Sequence, residues 1–274
     1  MASGDVKRSP GDSPTADVAY LSRADHRIPA LVALSERPRS RAELCELTGV
    51  SSSTIRRTLD GFEARTWIRK DGYQFVATRL GETVADGMET LLDRLETERT
   101  LRAVWRWLPE AVGEFSVETW AAMTVTVADP DAPYRPVSRF ESLLSGTSEL
   151  RYLRPEVALM EPCFETLPSL LDAGGEITVI DRPNCHAYFV STYPERCAAL
   201  LEREAFSVLE HDDLPPYGVG LLDDRTVISC YEPGSGAVAA VIDTDAPPVR
   251  EWATSVFDRH RADARRFDPR PIGE

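Results

Sequence analysis

The sequence predicts an α+β fold in two parts, a helical N-terminal part and a mixed α/β C-terminal part. Its 274 residues suffice for about two domains. Before residue 108, apolar residues recur at helical spacing, whereas after Pro109 short β-branched runs alternate with helical stretches. With 42% hydrophobic and 28% charged residues, both parts can bury a core.

Composition excludes several classes of protein. The net charge of −14 and the pI near 4.8 argue against a non-specific polyanion binder. Apolar runs fall far short of the ~20 residues that a membrane span needs, and the polar N-terminus lacks a secretory h-region. The five cysteines are odd in number and contain no C-x-x-C pair, so we expect a reduced, cytoplasmic protein.

The basic residues are unusual in kind and in distribution. Only Lys7 and Lys70 are lysines among 31 basic residues. An acidic, lysine-poor surface is typical of proteins from salt-loaded haloarchaeal cells, although a GC-rich genome also favours arginine. Residues 37–79 carry nine basic and five acidic side chains. This basic segment in an acidic chain is a first indication of nucleic-acid binding.

Residues 37–79 also contain the signals of two short helices and a hairpin. Ser40 and Glu43 form a capping-box pattern, and Gly49 is placed to end that helix. A second helix is predicted over 51–66, with Ile55, Leu59 and Phe62 as its core stripe. Two short helices joined by a glycine-containing turn make a helix-turn-helix, and the Asp71-Gly72 hairpin signal that follows makes a wing.

The segment RAELCELTGVSSSTIRRTLDGFEARTWIRKDGYQFVATRLG resembles the winged helix-turn-helix of archaeal and bacterial transcription regulators. The resemblance implies that 51–66 is the recognition helix, whose first turn presents side chains to base edges. We therefore expect contacts to double-stranded DNA from Ser51, Ser52, Ser53, Thr54, Arg56, Arg57, Arg69 and Lys70. The alternative is a solvated arginine face on a winged-helix protein-interaction module without direct DNA binding.

A long connecting helix is predicted over 79–107, with Thr78 as its cap. Val84, Met88, Leu91 and Leu95 are spaced by four, three and four residues, as in a short coiled-coil seam. We expect this seam to form a homodimer, because paired DNA half-sites need a two-fold protein. The alternative is a helix that packs on its own winged domain.

The C-terminal part is predicted as a mixture of helices and strands. Strands are expected at 120–128, 176–181, 186–190, 218–222, 225–231 and 237–243. Helices are expected at 137–144, 164–171, 193–204 and 249–266. The segment GEITVIDRP and the closing stretch from YGVGLLDD resemble archaeal regulators of the FilR type, and more distantly the TrmB-like regulators. This resemblance implies a regulatory or effector-sensing role.

These expectations divide the chain into five segments. They are a disordered tail (1–16), a winged helix-turn-helix (17–78), a connecting or dimerisation helix (79–108), an α/β effector or regulatory domain (109–266) and a second tail (267–274).

Within the regulatory domain, candidate ligand-binding residues combine arginine forks with ring side chains. Arg151 and Arg154 are expected to flank a turn before Pro155, whereas Arg182, His186 and Tyr188 are expected to follow the end of a strand. The six candidates are Arg151, Arg154, Arg182, His186, Tyr188 and Tyr217, a set suited to an anionic small-molecule effector. A solvated rim is the alternative for these residues, and a pure dimer scaffold or a protein-docking domain is the alternative for the domain as a whole. We expect no catalytic residue, because the chain has no lysine after Lys70 for an H-x-K pair and no hydrolase or P-loop motif.

A thiol- or metal-responsive regulator is the remaining alternative, using the cysteines and His186. The cysteine spacings match no local zinc motif, and we expect neither a cofactor nor a metal. The Cys185–His186 pair is expected on a strand, where neighbours face opposite sides. The sequence thus predicts a cytoplasmic, sequence-specific DNA-binding transcription regulator with a ligand-sensing C-terminal domain.

Overall fold

The structure is a computed structural model that describes residues 13–267. The chain divides into two compact units, with the boundary between Leu95 and Glu96. That boundary falls inside the longest helix, Arg79–Arg102, so the predicted connecting segment is shared by both units. Within the described residues, no helix is both long and apolar enough to cross a membrane.

The first unit is a bundle of short helices with a three-stranded antiparallel sheet in the order β1-β3-β2. Its elements are α1 (Pro14–Ser22), α2 (Arg27–Glu36), β1 (Arg39–Ser40), α3 (Arg41–Thr48), α4 (Ser52–Ala64), β2 (Ile68–Asp71), β3 (Gln74–Ala77) and α5 (Arg79–Arg102). The fully buried side chains of Leu34, Leu44, Ile55 and Phe62 form its core. This order of elements confirms the predicted winged helix-turn-helix.

The local signals in this unit act as the sequence predicts. The Ser40 side chain and the Glu43 carboxylate form a reciprocal capping box at the start of α3. Gly49 ends α3 with a φ of 71°, in the left-handed region that glycine adopts without strain. In the wing, Asp71 pairs with Gln74, so the tight turn is Gly72-Tyr73, one residue later than predicted.

The second unit is built on an eight-stranded mixed sheet in the order β11-β7-β6-β5-β8-β9-β10-β4. Its strands are β4 (Thr124–Val127), β5 (Glu149–Arg154), β6 (Glu176–Asp181), β7 (Phe206–Glu210), β8 (Tyr217–Leu222), β9 (Arg225–Tyr231), β10 (Val238–Thr244) and β11 (Arg265–Arg266). Its helices are α6 (Val117–Ala121), α7 (Arg135–Leu144), α8 (Leu167–Asp172), α9 (Pro183–Thr192), α10 (Pro194–Leu201) and α11 (Pro247–Asp263). The predicted α+β class is confirmed.

Each face of this sheet carries its own core. Tyr152 of β5 packs in a cluster with Phe140 of α7 and Phe189 of α9. Its neighbour Leu153 packs with Phe257 of α11. Because successive side chains of a strand point to opposite faces, α7–α10 cover one face of the sheet and α11 covers the other.

Two predictions in the second unit are wrong. Residues 186–190, predicted as a strand, lie in α9, because Pro183 starts a helix directly after β6. The buried positions 185, 186 and 189 then follow helical spacing, which overrides the β propensity of Tyr-Phe-Val. Arg151 and Arg154, expected to flank a turn, both lie in β5.

Smaller differences concern element boundaries. The helical part of the connecting segment ends at Arg102, and 105–107 form a 3-10 turn. The predicted strand at 120–128 begins only after the short α6, and β7 was not predicted. At the N-terminus, α1 begins at Pro14, inside the predicted tail; residues 1–12 and 268–274 lie outside the described residues.

Candidate nucleic-acid interface

The first turn of α4 is fixed by a serine cap. The Ser51 hydroxyl accepts a hydrogen bond from the backbone N–H of Thr54 at 3.3 Å. The hydroxyls of Ser53 and Thr54 each lie 3.0 Å from that of Ser51. Ser51 therefore serves mainly to start the helix. Of the hydroxyl groups predicted to contact DNA, those of the exposed Ser52 and Ser53 are left nearest to an incoming partner.

The face of α4 opposite its core stripe carries two uncommitted arginines. Ile55 and Leu59 are buried, whereas Arg56 and Arg57 are exposed. Within residues 13–267, neither arginine forms an ion pair. Their guanidinium groups are free to make the bidentate contacts that guanine or phosphate accepts.

The wing adds further exposed cations. Arg69 lies 3.6 Å from Asp71, and both side chains are 62% exposed, so this pair is weak and easily exchanged for a phosphate. Lys70 is also exposed. Both residues lie on β2, where their side chains are exposed on opposite faces of the hairpin.

Two further residues of α4 and the wing are exposed, although the sequence patterns did not indicate them. Tyr73, in the turn of the wing, is 96% exposed. Asp60 is exposed one helical turn after Arg56, and its carboxylate can accept a hydrogen bond from cytosine N4 but repels phosphate. A 3.6-residue projection of α4 would have identified Asp60, whereas the exposure of Tyr73 depends on the turn geometry.

Contacts with the first two helices hold α4 in place. His26 Nε2 lies 2.8 Å from the hydroxyl of Thr58, which is buried. The Arg65 guanidinium donates to Asp17 at 2.9 Å and stacks on the Tyr20 ring at 3.9 Å. Burial, and then the nearby Arg27 guanidinium, lowers the pKa of His26 below its usual value of 6.5. These contacts fix the angle at which α4 is presented.

The six candidate ligand-binding residues do not meet in one site. Arg151 and Arg154, three residues apart on β5, point to opposite faces of the sheet. Tyr217 packs on Trp252 of α11, on the face that Arg151 occupies. Tyr188 is exposed on α9 and donates its hydroxyl to Glu161. The six side chains therefore do not converge on one anion site, and a role of any of them in ligand binding stays a prediction.

The arginine forks in this set are already occupied. Arg154 is 5% exposed and donates from Nε to Asp181 Oδ1 at 2.6 Å, while its Nη2 donates to the other carboxylate oxygen. Arg182 donates to the backbone oxygen of Leu214 at 2.6 Å and so anchors the loop before β8. Only His186 of the six is both buried and near this Arg154–Asp181 pair, with Nδ1 3.5 Å from Asp181 Oδ2.

The cysteines of the second unit are buried, which favours the protonated thiol. Burial raises the pKa of Cys185 to about 11 and the pKa values of Cys163 and Cys230 to about 12. The thiolate is the form that reacts and binds metal, so these environments oppose a thiol switch. Within residues 13–267, no group of three or more His, Cys, Asp or Glu side chains is arranged to hold a metal ion.

Comparison with known proteins gives two domain matches. Residues 15–100 match the HVO_A0261 N-terminal domain family, and residues 133–263 match the family of the middle domain of the methanogenesis regulatory protein FilR1. A search of curated proteins found no significant match.

Solved structures resemble the chain more distantly. TrmBL2, described as an archaeal chromatin protein with a novel mode of DNA binding, shares 12% identity, with 93% of this chain and 100% of that chain covered and a TM-score of 0.44. The adhesin competence repressor AdcR of Streptococcus pyogenes shares 15% identity over 35% of this chain and 73% of its own, with a TM-score of 0.26. Phosphatidylserine synthase of Haemophilus influenzae Rd KW20 shares 11% identity over 53% of this chain and 39% of its own, with a TM-score of 0.39.

The first domain match coincides with the winged helix-turn-helix and the second with most of the eight-stranded unit. Both agree with the resemblances drawn from the sequence. The chain therefore joins a domain of the HVO_A0261 N-terminal type to a domain of the FilR1 middle type, the combination expected of a DNA-binding transcription regulator with a winged helix-turn-helix.

Proposed function

We propose that this protein binds specific sites on double-stranded DNA through α4 and the wing, and regulates transcription in the cytoplasm, where the DNA is found. The observation that carries the proposal is the pair Arg56 and Arg57, exposed and without an ion-pair partner in residues 13–267, on the outward face of the second helix of a helix-turn-helix. Arg69 and Lys70 of the wing add exposed positive charge to the same unit. The domain matches to regulator families support this function.

Genome-wide DNA pull-down by the purified protein in concentrated KCl tests the proposal. Wild type is expected to enrich a few sites that share one motif, and Arg56→Ala/Arg57→Ala is expected to lose them. Arg259→Ala/Arg261→Ala is a matched control, because it removes the same charge from exposed positions of α11. Equal loss in both double variants, or no enrichment by wild type, would favour the protein-interaction module instead.

A homodimer is the second part of the proposal. The predicted seam has two halves: Met88 is buried in the first unit's own core, whereas Leu91, Leu92 and Leu95 are 42–47% exposed. The exposed half is the surface that a second α5 would cover. Light scattering of the wild-type protein is expected to give twice the mass of one chain. The Leu91→Glu/Leu95→Glu variant is expected to give the mass of one chain. A monomeric wild type would contradict the proposed homodimer.

For the second unit we propose a regulatory, non-enzymatic role that senses a small molecule. Its sheet is covered by helices on both faces and contains the parallel strands β5, β6 and β7. The carboxyl ends of parallel strands in such sheets commonly border ligand sites. No lysine follows Lys70, so the second unit cannot contain the H-x-K pair that a histidine nucleophile of that type needs. This supports the non-enzymatic role. Protonated, buried cysteines make a thiol-responsive mechanism the weaker alternative.

A further inference from the structure

One exposed face of α4 carries charges of both signs. Ser53, Arg56, Arg57 and Asp60 are all exposed, and their spacing of i, i+3, i+4 and i+7 places them on one side of the helix. The buried side chains of α4 lie on the other side, against the core of the first unit. Recognition helices commonly reach bases with residues of one such face over about two turns. Asp60 therefore shares a face with the two arginines that carry the proposed function.

The Asp60 carboxylate is uncommitted within its own fold. It forms neither an ion pair nor a hydrogen bond within residues 13–267. Arg56 and Arg57, four and three residues earlier on the helix, do not pair with it, although residues at these spacings are neighbours. An acidic residue that follows its basic partner along a helix also forms the weaker of the two possible pairs. The carboxylate is thus free to accept a hydrogen bond from a molecule outside the chain.

A free carboxylate on a DNA-facing helix favours one base over the others. The group repels phosphates, and when ionised it can only accept hydrogen bonds. In the major groove, guanine N7 and O6 and thymine O4 are acceptors, and adenine places the acceptor N7 beside its amino group. Cytosine presents the N4 amino group as a donor without an acceptor on the same base. The chemistry of the side chain therefore selects cytosine.

We propose that Asp60 is a specificity-determining residue, which selects cytosine in the major groove by accepting a hydrogen bond from its N4 amino group. The inference deepens the DNA binding proposed above and rests on it. Residues 53–60 extend over about 10 Å of helix, at about 1.5 Å per residue. Successive bases of one strand are about 3.4 Å apart. The cytosine therefore lies within about three base pairs of the base that Arg56 or Arg57 contacts.

Selection of binding sites from a library of randomised DNA duplexes, in concentrated KCl, tests this base preference. The wild-type protein is expected to select a motif with cytosine at one position, preferred at least about fivefold over the other bases. Asp60→Asn is expected to favour adenine at that position, because an amide pairs with adenine N6 and N7. Since Asp60 is exposed, the substitution leaves the fold intact. An unchanged motif in Asp60→Asn would overturn the proposal.

A matched control separates base reading from the loss of one negative charge. Asp258→Asn makes the same chemical change at an exposed position of α11, in the second unit. This control is expected to select the wild-type motif. A change of motif as large as that in Asp60→Asn would contradict the proposal, because a general effect of charge would then explain both.

Two short duplexes measure the contact directly by fluorescence anisotropy. One contains the selected motif, and in the other the cytosine of interest is replaced by thymine. Wild type is expected to lose at least about fivefold in affinity on this replacement, and Asp60→Asn less than about twofold. Equal losses in the two proteins would refute the contact. An Asp60→Asn protein that binds both duplexes more tightly by the same factor would show that Asp60 only repels phosphate, which also overturns the proposal.

The two proposals fail in different ways. A wild-type protein that selects no motif overturns the DNA binding and the role of Asp60 together. A motif that Arg56→Ala/Arg57→Ala loses, but that Asp60→Asn selects unchanged, refutes only the role of Asp60 and leaves the DNA-binding proposal intact.

Discussion

At the scale of single residues, the Arg154–Asp181 pair is one of two places within residues 13–267 where the second unit buries charge; the other is Asp243, which pairs with Arg139 and Arg225. Arg154 is 5% exposed and Asp181 is fully buried, and each satisfies the other. Removing one partner of such a pair leaves an uncompensated buried charge, whereas replacing both by apolar groups avoids that cost.

We therefore expect Asp181→Ala to lower the free energy of unfolding by about 3–5 kcal/mol. The double variant Arg154→Met/Asp181→Leu should remain within about 1–2 kcal/mol of wild type, because no charge stays buried. Urea denaturation of the two variants measures the difference. Equal destabilisation would show that the pair has a structural role that its charges do not explain.

The capping box at α3 has a predictable pH dependence. The backbone N–H of Ser40 donates to the Glu43 carboxylate, with help from the Ser40 hydroxyl and Arg37, and this lowers the pKa of Glu43 to about 2. A carboxyl whose folded pKa lies below its unfolded value stabilises the protein above the unfolded pKa and loses that contribution as the pH falls.

The melting temperature of wild type should consequently exceed that of Glu43→Gln at pH 6. The difference should shrink as the pH falls from about 4.5 towards 2, since both proteins then lack the carboxylate charge. Calorimetric scans across this range, in a buffer of constant ionic strength, test the sign. A difference that grows on acidification would contradict the capping role.

At the scale of elements, the start of α5 is set by close contact with the wing. A Cβ atom added at Gly81 would lie 1.9 Å from the carbonyl oxygen of Trp67, which is backbone and cannot rotate away. Thr78, which caps α5, also donates its hydroxyl to Thr66 at 2.6 Å. The glycine thus permits the helix to begin directly against the hairpin that precedes it.

Two glycines of α5 give opposite predictions. Gly81→Ala should lower the free energy of unfolding of the first unit by at least about 1–3 kcal/mol, because the backbone must shift to admit the methyl group. Gly87→Ala has open space around the new Cβ and should stabilise by about 0.5–1 kcal/mol through helix propensity. Thermal unfolding compares them, and a similar effect at both positions would refute the close contact.

At the scale of the whole molecule, an acidic protein with net charge −14 has a basic segment in its DNA-facing unit. Ordinary regulators lose affinity steeply with salt, because binding releases counterions. A protein adapted to concentrated salt must depend more on base contacts and shape, and the exposed, unpaired Arg56 and Arg57 are suited to that.

We expect the affinity for an identified site to fall by less than about tenfold between 1 and 3 M KCl, in contrast to the 10³–10⁵ loss that about 6–10 phosphate contacts cause between 50 and 200 mM salt. Fluorescence anisotropy with a short duplex measures the slope. Arg69→Ala/Lys70→Ala should flatten it further by removing phosphate contacts, and a steep wild-type slope would contradict adaptation to salt.

Much of this protein was determined by the sequence itself. The capping box, Gly49, the Ser51 cap and the Ile55–Leu59 stripe are local signals whose physics acts within a few residues, so they predicted the helix-turn-helix correctly. Strongly periodic elements of the second unit, such as β6 and β8–β10, were predicted for the same reason.

Only the tertiary structure decided what distant residues do to one another. It placed 186–190 in a helix after Pro183, put Arg151 and Arg154 on opposite faces, and joined Arg154 to Asp181 across 27 residues. It also brought Phe267 onto His186. Strand pairing and burial depend on contacts between segments far apart in the chain, and no pattern within a short window contains them.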